Sequence, residues 1–253
     1  MRFAAEGLAA RAGIALQNAQ RYRAQVDNVR MLTGALLPAE LPRVERMGLT
    51  ARYLPASGAV CGDWYEAESM PGDRVLLGIA DASGHGLPAA VAMAQVRNAA
   101  RGLAIAGAAP GQMLDHLGTL LRRSSPSSIV TAVYGLMDTS TGRGIWANAG
   151  HPPPIIIAPS GETSIWDLAQ DPPIGSARLG YTEIEFELED GYRMLLYTDG
   201  LFERRREDPT QGIRRLMALA ESSSHLSDDE LANAMLGGRP ENSDDACILL
   251  IRR

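Results

Sequence analysis

A nearly continuous apolar run leads directly into an acidic, glycine-rich turn in the segment Val75-Leu76-Leu77-Gly78-Ile79-Ala80-Asp81-Ala82-Ser83-Gly84-His85-Gly86. An apolar run bounded by turn residues predicts a buried strand, here over Val75–Asp81. The carboxylate of Asp81 then lies at the end of a buried strand, where its charge is costly unless a counter-charge is present. A divalent cation is well suited to supply that charge.

Three further aspartates occupy short loops of the same kind: Cys61-Gly62-Asp63-Trp64-Tyr65, Tyr197-Thr198-Asp199-Gly200 and Asn242-Ser243-Asp244-Asp245. If the predicted strands Val60–Glu66 and Val75–Asp81 pair as a hairpin, Asp63 and Asp81 could share metal ions. Oxygen ligands without a cysteine or histidine cluster fit magnesium or manganese better than zinc. Each aspartate alone could simply cap a turn, but the four together favour a hard-metal site built by the whole fold.

The remaining pattern predicts strands interrupted by pairs of helices, which is typical of an α+β fold with antiparallel sheets. Further strands are expected at 49–54, 129–137, 144–149, 155–158, 163–166, 183–188, 193–198 and 246–252. Helices are expected at 86–104, 111–122, 210–221 and 227–236. Ser227 followed by Glu230 forms a capping-box pattern, so the start of the last helix is a specific prediction.

Composition excludes several classes of protein. The 253 residues contain 30 acidic and 24 basic side chains, and the resulting net charge of −6 argues against nucleic acid or an anionic membrane as a main partner. No long apolar segment suggests a signal peptide or a transmembrane helix. The two cysteines form no CxxC motif, and the simplest interpretation is a reduced, cytoplasmic protein.

Residues 3–37 predict one long helix that ends before Pro38 and Pro42. Its apolar positions follow steps of four and three, as in a coiled coil: Leu8, Ala12, Ala15, Ala19, Tyr22, Val26, Val29, Thr33 and Leu36. The helix could pack on its own domain, or it could form a parallel homodimer stalk that transmits a signal. We expect a division into a helical linker over 1–42 and a second domain over 43–253.

Five motifs occur in an order that resembles the metal-dependent serine/threonine protein phosphatases (PPM family), in particular the bacterial SpoIIE and RsbU type. They are Gly62-Asp63-Trp64-Tyr65, Asp81-Ala82-Ser83-Gly84-His85-Gly86, Asn148-Ala149-Gly150-His151-Pro152-Pro153, Thr198-Asp199-Gly200 and Asp244-Asp245. The resemblance implies an α-β-β-α sandwich of two antiparallel sheets with metals at one edge. In addition, residues 8–19 look like the last helix of a GAF sensor domain, and residues 36–42 look like the linker that enters this phosphatase branch.

The same resemblance implies roles for individual residues. Asp63 and Asp81 would bridge two Mn²⁺ or Mg²⁺ ions, the backbone carbonyl of Ala82 would add a ligand, and Asp199 and Asp244 would hold the second ion. Water would attack the phosphorus in line, without a phosphoenzyme intermediate. His85 is a candidate general acid, or else it only hydrogen-bonds the turn.

We expect structural roles for other residues of the motifs. His151 is expected to order a loop, and Trp64 and Tyr65 to line the core or a pocket. Glu66 stands where the family usually has Asp, which puts a metal role for it in doubt.

The expected function is therefore hydrolysis of phosphoserine or phosphothreonine on a STAS-type anti-sigma-factor antagonist, in a partner-switching pathway that controls a sigma factor. Two alternatives stay open: a poorly active phosphatase-like binding module, and a phosphatase that acts on small phosphate esters.

Overall fold

The computed structural model describes residues 11, 13–18, 20–21, 40–55, 62–84, 86–176, 180–204, 206–240 and 244–253. Its strands are β1 (Gly48–Leu54), β2 (Asp63–Met70), β3 (Arg74–Ala82), β4 (Val130–Asp138), β5 (Arg143–Ala149), β6 (Ile155–Ile157), β7 (Thr163–Ile165), β8 (Gln170–Asp171), β9 (Glu183–Glu187), β10 (Arg193–Tyr197) and β11 (Ala246–Arg252). Its helices are α1 (Leu87–Ile105), α2 (Pro110–Ser124), α3 (Pro209–Ser222) and α4 (Asp228–Gly237), with a short 3₁₀ helix at Asp199–Leu201.

The strands form two sheets. The first sheet has the order β2-β3-β4-β5-β8, and β9 also pairs with β5; the second sheet has the order β1-β11-β10-β6-β7. Nearly all neighbours are antiparallel, as predicted. The two-residue strand β8 is an exception, because it runs parallel to β5 and was not predicted.

Helices cover the outer faces of both sheets. α1 and α2 pack on the first sheet through apolar side chains such as Met93, Val96 and Leu117. α3 and α4 pack on the second sheet through Leu216 and Leu231. The predicted α-β-β-α layering is therefore confirmed for the described residues.

A third apolar cluster fills the space between the two sheets. Tyr65, Ile79 and Val133 from the first sheet meet Leu196 and Leu249 from the second. Because side chains alternate along a strand, Trp64 points the other way and is fully buried under the helices. Both aromatic residues of the Asp63 motif are thus core residues.

The starts of the helices follow local chemistry. α1 begins after Gly86, which has a φ of 81°, and Pro88 lies in its first turn. α4 begins with the predicted capping box, in which Ser227 and Glu230 satisfy each other's backbone N–H groups.

A buried ion pair joins α1 to the first sheet. Glu66 on β2 is completely buried, and its Oε2 atom lies 3.1 Å from Nε of Arg97 on α1. Burial raises the pKa of Glu66 to about 7, while Arg97 and Arg101 oppose that rise. Glu66 therefore pairs with a helix arginine, which agrees with the doubt about a metal role for it.

Most of the predicted N-terminal helix lies outside the described residues. Residues 13–18 are helical, with Ile14 and Leu16 exposed. The full helix over 3–37, its GAF-like origin, and the division at residue 42 remain predictions. Within the described part of the chain, no helix combines the length and apolar character needed to cross a membrane.

Candidate metal centre

Two of the predicted ligands face each other across a strand pair. β2 and β3 are antiparallel neighbours, and Asp63 pairs with Asp81 in their register. This confirms the predicted hairpin, although the first strand begins at Asp63 rather than at the predicted Val60. Directly paired residues project to the same side of a sheet. Both carboxylates lie on the side that faces the second sheet, because Tyr65 and Ile79 on that side belong to the core between the sheets.

The second sheet brings the other two aspartates to the same edge. Asp199 follows β10 by two residues, and Asp244 precedes β11 by two residues. β10 and β11 are antiparallel neighbours, so the end of one strand lies beside the start of the other. The structure therefore gathers residues that are up to 181 positions apart, from Asp63 to Asp244.

Close backbone packing at two glycines makes this approach possible. A Cβ atom on Gly62 would lie 2.3 Å from the carbonyl oxygen of Ala82. A Cβ atom on Gly200 would lie 1.8 Å from the carbonyl oxygen of Asp245. Since no side chain fits at either position, the loops of Asp63 and Asp199 lie directly against the segments of Ala82 and Asp244.

The pKa of Asp63 shows how these carboxylates interact. Its side chain is 3% exposed, and burial raises its pKa well above the usual range; the charge of Asp81 raises it further, whereas Thr198 opposes the rise. The Oδ2 atom of Asp63 is buried and has no hydrogen-bond partner. A buried carboxylate oxygen without a donor is a group that a cation would satisfy.

The other carboxylates repel one another as well. Burial raises the pKa of Asp199 to about 7, and the charges of Asp81, Glu203 and Asp244 add to the rise. Burial also raises the pKa of Asp81, where a hydrogen bond with Asp63 acts in the opposite direction. The site is therefore an acidic cluster that favours bound protons or cations.

The carboxylates of the cluster are not spaced as a complete set of metal ligands. Among the described residues, no three Asp, Glu, His or Cys side chains converge closely enough to hold a metal ion as they stand.

An open cleft of ≈ 220 Å³ gives access to the cluster. Asp81, Asp199, Glu203, Thr131 and His151 contribute to its lining. A larger cleft of ≈ 630 Å³ lies at the far ends of β3 and β4, beside Arg74 and Asp138, and contains none of the predicted ligands.

The predicted site residues divide into three groups. Asp63, Asp81, Asp199 and Asp244 are brought to one edge, with the Ala82 backbone beside them. His85 lies outside the described residues, so its role as general acid remains a prediction. His151 is buried and hydrogen-bonded at both ring nitrogens, as expected for a residue that orders a loop.

Sequence reasoning missed Glu203 as a member of the cluster. Its charge and a side-chain hydrogen bond both raise the pKa of Asp199. The available signal was its position four residues after Asp199, across the short 3₁₀ helix.

Comparisons with known proteins agree with this geometry. Residues 71–253 match the family described as Stage II sporulation protein E (SpoIIE). The phosphoserine phosphatase RsbU of Bacillus subtilis (strain 168) is 27% identical over 192 residues, which cover 75% of this chain and 56% of RsbU. The chain thus spans little more than half the length of that relative.

Two solved structures share the fold. The RsbU and RsbW domains of a Mycobacterium tuberculosis protein superimpose with a TM-score of 0.77 at 29% identity, covering 86% of this chain and 63% of that one. The SiaA-PP2C domain of Pseudomonas aeruginosa gives a TM-score of 0.76 at 21% identity, with coverages of 94% and 98%. Since the family match includes well over half of the chain, the protein belongs to the SpoIIE family, the RsbU-like branch of the PPM (PP2C-type) serine/threonine phosphatases.

Proposed function

We propose that this chain is a Mn²⁺- or Mg²⁺-dependent phosphatase that hydrolyses phosphoserine or phosphothreonine on a STAS-type anti-sigma-factor antagonist. The observation that supports it best is the buried carboxylate cluster, in which Asp63 and Asp81 on one sheet meet Asp199 and Asp244 from the other. Family membership supplies the reaction class.

The oxygen donors of the cluster fit divalent ions in their chemistry. The unpartnered Oδ2 of Asp63 and the raised pKa of Asp199 both indicate negative charge without a counter-charge. Magnesium and manganese prefer such oxygen ligands. Asp63, Asp81, Asp199 and Asp244 would hold the ions through their carboxylates, and the backbone carbonyl of Ala82 would add a ligand.

Two bound divalent ions would activate a water molecule and offset the charge of the phosphoryl oxygens. The chain's own contribution is to hold the carboxylates in place through the paired strands and the close glycine contacts. The open cleft leaves room for a phosphorylated side chain to enter from the surface. His85 would donate a proton to the leaving serine or threonine oxygen.

The remaining assignments concern the whole protein. RsbU is a phosphoserine phosphatase, and we propose that this chain acts on the same class of phosphoprotein in a partner-switching pathway. A homodimer through the N-terminal helix, a GAF-type sensor before it, and a cytoplasmic location complete the proposal. None of them depends on the metal centre, so each needs a test of its own.

Phosphate release from a phosphorylated STAS-domain protein tests the function. Wild type should release phosphate only with manganese or magnesium, and Asp63→Asn and Asp199→Asn should abolish release while their thermal unfolding remains cooperative. Ser227→Ala is the matched control, because it removes a helix cap on α4 and leaves the cluster intact.

Two results would contradict the proposal. If Asp63→Asn releases phosphate at the wild-type rate at saturating metal, the cluster takes no part in catalysis. Tight binding of the phosphorylated partner without release by wild type would instead identify a binding module.

A further inference from the structure

The motif Asn148–Pro153 has no role in the reaction proposed above, yet it places a buried histidine between the two sheets. His151 is 1% exposed, and both of its ring nitrogens have partners. Nδ1 lies 2.8 Å from the hydroxyl oxygen of Thr131 on β4. Nε2 lies 3.1 Å from the carbonyl oxygen of Tyr197 on β10.

These contacts define where the proton of the imidazole lies. A carbonyl oxygen can only accept, so Nε2 must carry the hydrogen and donate it to Tyr197. Nδ1 is then an acceptor, and the hydroxyl of Thr131 donates to it. Burial lowers the pKa of His151 to about 4, which agrees with a neutral ring.

The two hydrogen-bond partners of the His151 ring, Thr131 and Tyr197, lie next to different parts of the metal centre. Thr131 is the direct partner of Asp81 across β3 and β4, so the two side chains lie on the same face. Tyr197 is two residues before Asp199 on the other sheet. His151 therefore ties the strand beside Asp81 to the strand that leads into Asp199.

The loop that holds the imidazole is itself well determined. The side chain of Asn148 accepts from the backbone N–H of His151 at 2.8 Å and donates to its carbonyl oxygen at 3.0 Å, and both contacts are buried. Gly150 has a φ of 69°, and a Cβ atom there would lie 2.8 Å from the ring of Pro173. Only glycine suits such a position.

We propose that His151 is a positioning residue that, together with Thr131, sets the separation of Asp81 and Asp199 and thereby the affinity of the site for its divalent ions. The inference rests on the proposed function, because it assumes that these carboxylates bind metal. Partners that orient metal ligands commonly change metal affinity by about 10- to 100-fold when they are removed.

Thr131 allows the sharper test, since valine has nearly the shape of threonine and lacks the hydroxyl. Thr131→Val should weaken Mn²⁺ binding by about tenfold or more. Thr131→Ser keeps the donor to Nδ1 and should restore most of the affinity. His151→Gln keeps one donor toward Tyr197 but has no acceptor in the place of Nδ1, so it should also bind Mn²⁺ more weakly.

The experiment is isothermal titration of the full chain with MnCl₂, which measures affinity without reference to turnover. Ser227→Ala serves as the control for a general loss of stability and should bind Mn²⁺ like wild type. Turnover of Thr131→Val should recover at saturating manganese, because the effect lies in metal binding. If His151→Gln does not fold, the two Thr131 variants still decide the question.

The outcomes separate this inference from the function on which it rests. The positioning role is wrong if Thr131→Val and His151→Gln bind Mn²⁺ as tightly as wild type. If Asp199→Asn loses binding in the same experiment, the metal centre itself is still supported. Equal weakening in Thr131→Val and Thr131→Ser would also overturn it, since the hydroxyl would not matter. A wild-type chain that binds no manganese would overturn both.

Discussion

Replacing Gly200 by alanine tests whether the close contact between the Asp199 and Asp244 segments is required. The added Cβ atom would lie 1.8 Å from the carbonyl oxygen of Asp245, where real Cβ contacts stay beyond 3.0 Å. The segments must therefore separate by at least 3.0 − 1.8 = 1.2 Å. The obstacle is backbone, so no side-chain rotation can relieve it.

A displacement of this size should affect both stability and turnover. Overpacking of a close contact costs about 1–3 kcal/mol. Misplacement of reacting groups by about 1 Å costs about 100-fold in rate. We expect Gly200→Ala to lower the free energy of unfolding by about 1–3 kcal/mol and kcat/KM for phosphate release by about 100-fold.

The matched control is the same substitution at Gly102, inside α1, where a Cβ atom would meet nothing within 4 Å. Gly102→Ala should stabilise the protein by up to about 1 kcal/mol, because alanine favours a helix, and should leave turnover unchanged. Urea unfolding and phosphate release measure the two effects. A Gly200→Ala enzyme with wild-type stability and turnover would refute the steric argument.

Three further perturbations have definite expected outcomes. Without metal, Asp63 and Asp199 in the folded protein retain protons that aspartates in the unfolded chain, with a pKa of 3.8, release. The free energy of unfolding should therefore fall as the pH rises from about 4 to about 7. Urea unfolding in the presence of manganese should not show this dependence on pH. A metal-free stability that rises over this range would contradict the raised pKa values. Arg97→Met leaves Glu66 buried without its nearest partner and should lower the free energy of unfolding in urea by about 3–5 kcal/mol. Arg101→Met changes a more exposed position and should lower it by under about 1 kcal/mol. Equal losses in the two variants would count against a buried ion pair. Ser227→Ala should lower stability by about 1 kcal/mol without changing turnover, and a change in turnover would mean that α4 acts on the site.

Local patterns predicted most of the secondary structure. The apolar run before Asp81 and the capping box at Ser227 each depend on residues close in sequence, and most elements appear within two residues of the expected bounds, whereas β2 is shifted by three to four residues. The short strand β8 was missed, because two residues carry no periodicity.

Contacts between residues far apart in the sequence were much harder to predict. Nothing in the segment around Glu66 shows that its carboxylate meets Arg97 on α1. Likewise, the sequence suggests that His151 orders a loop, but not that its ring joins β4 to β10.

The sequence by itself determined most of the strands, the four helices of the phosphatase domain and the acidic turns, since these depend on periodicity and on residues a few positions apart. It also suggested that Asp63 and Asp81 could share metal ions if their strands form a hairpin, and the register of β2 and β3 then placed the two aspartates directly opposite each other. Only the tertiary structure decided that β1 pairs with β11, that Asp199 and Asp244 reach the edge where Asp63 and Asp81 lie, and that one buried imidazole connects the two sheets there. The physical reason is that packing between sheets depends on the shapes of surfaces assembled from distant segments, and no local pattern records which surfaces will meet.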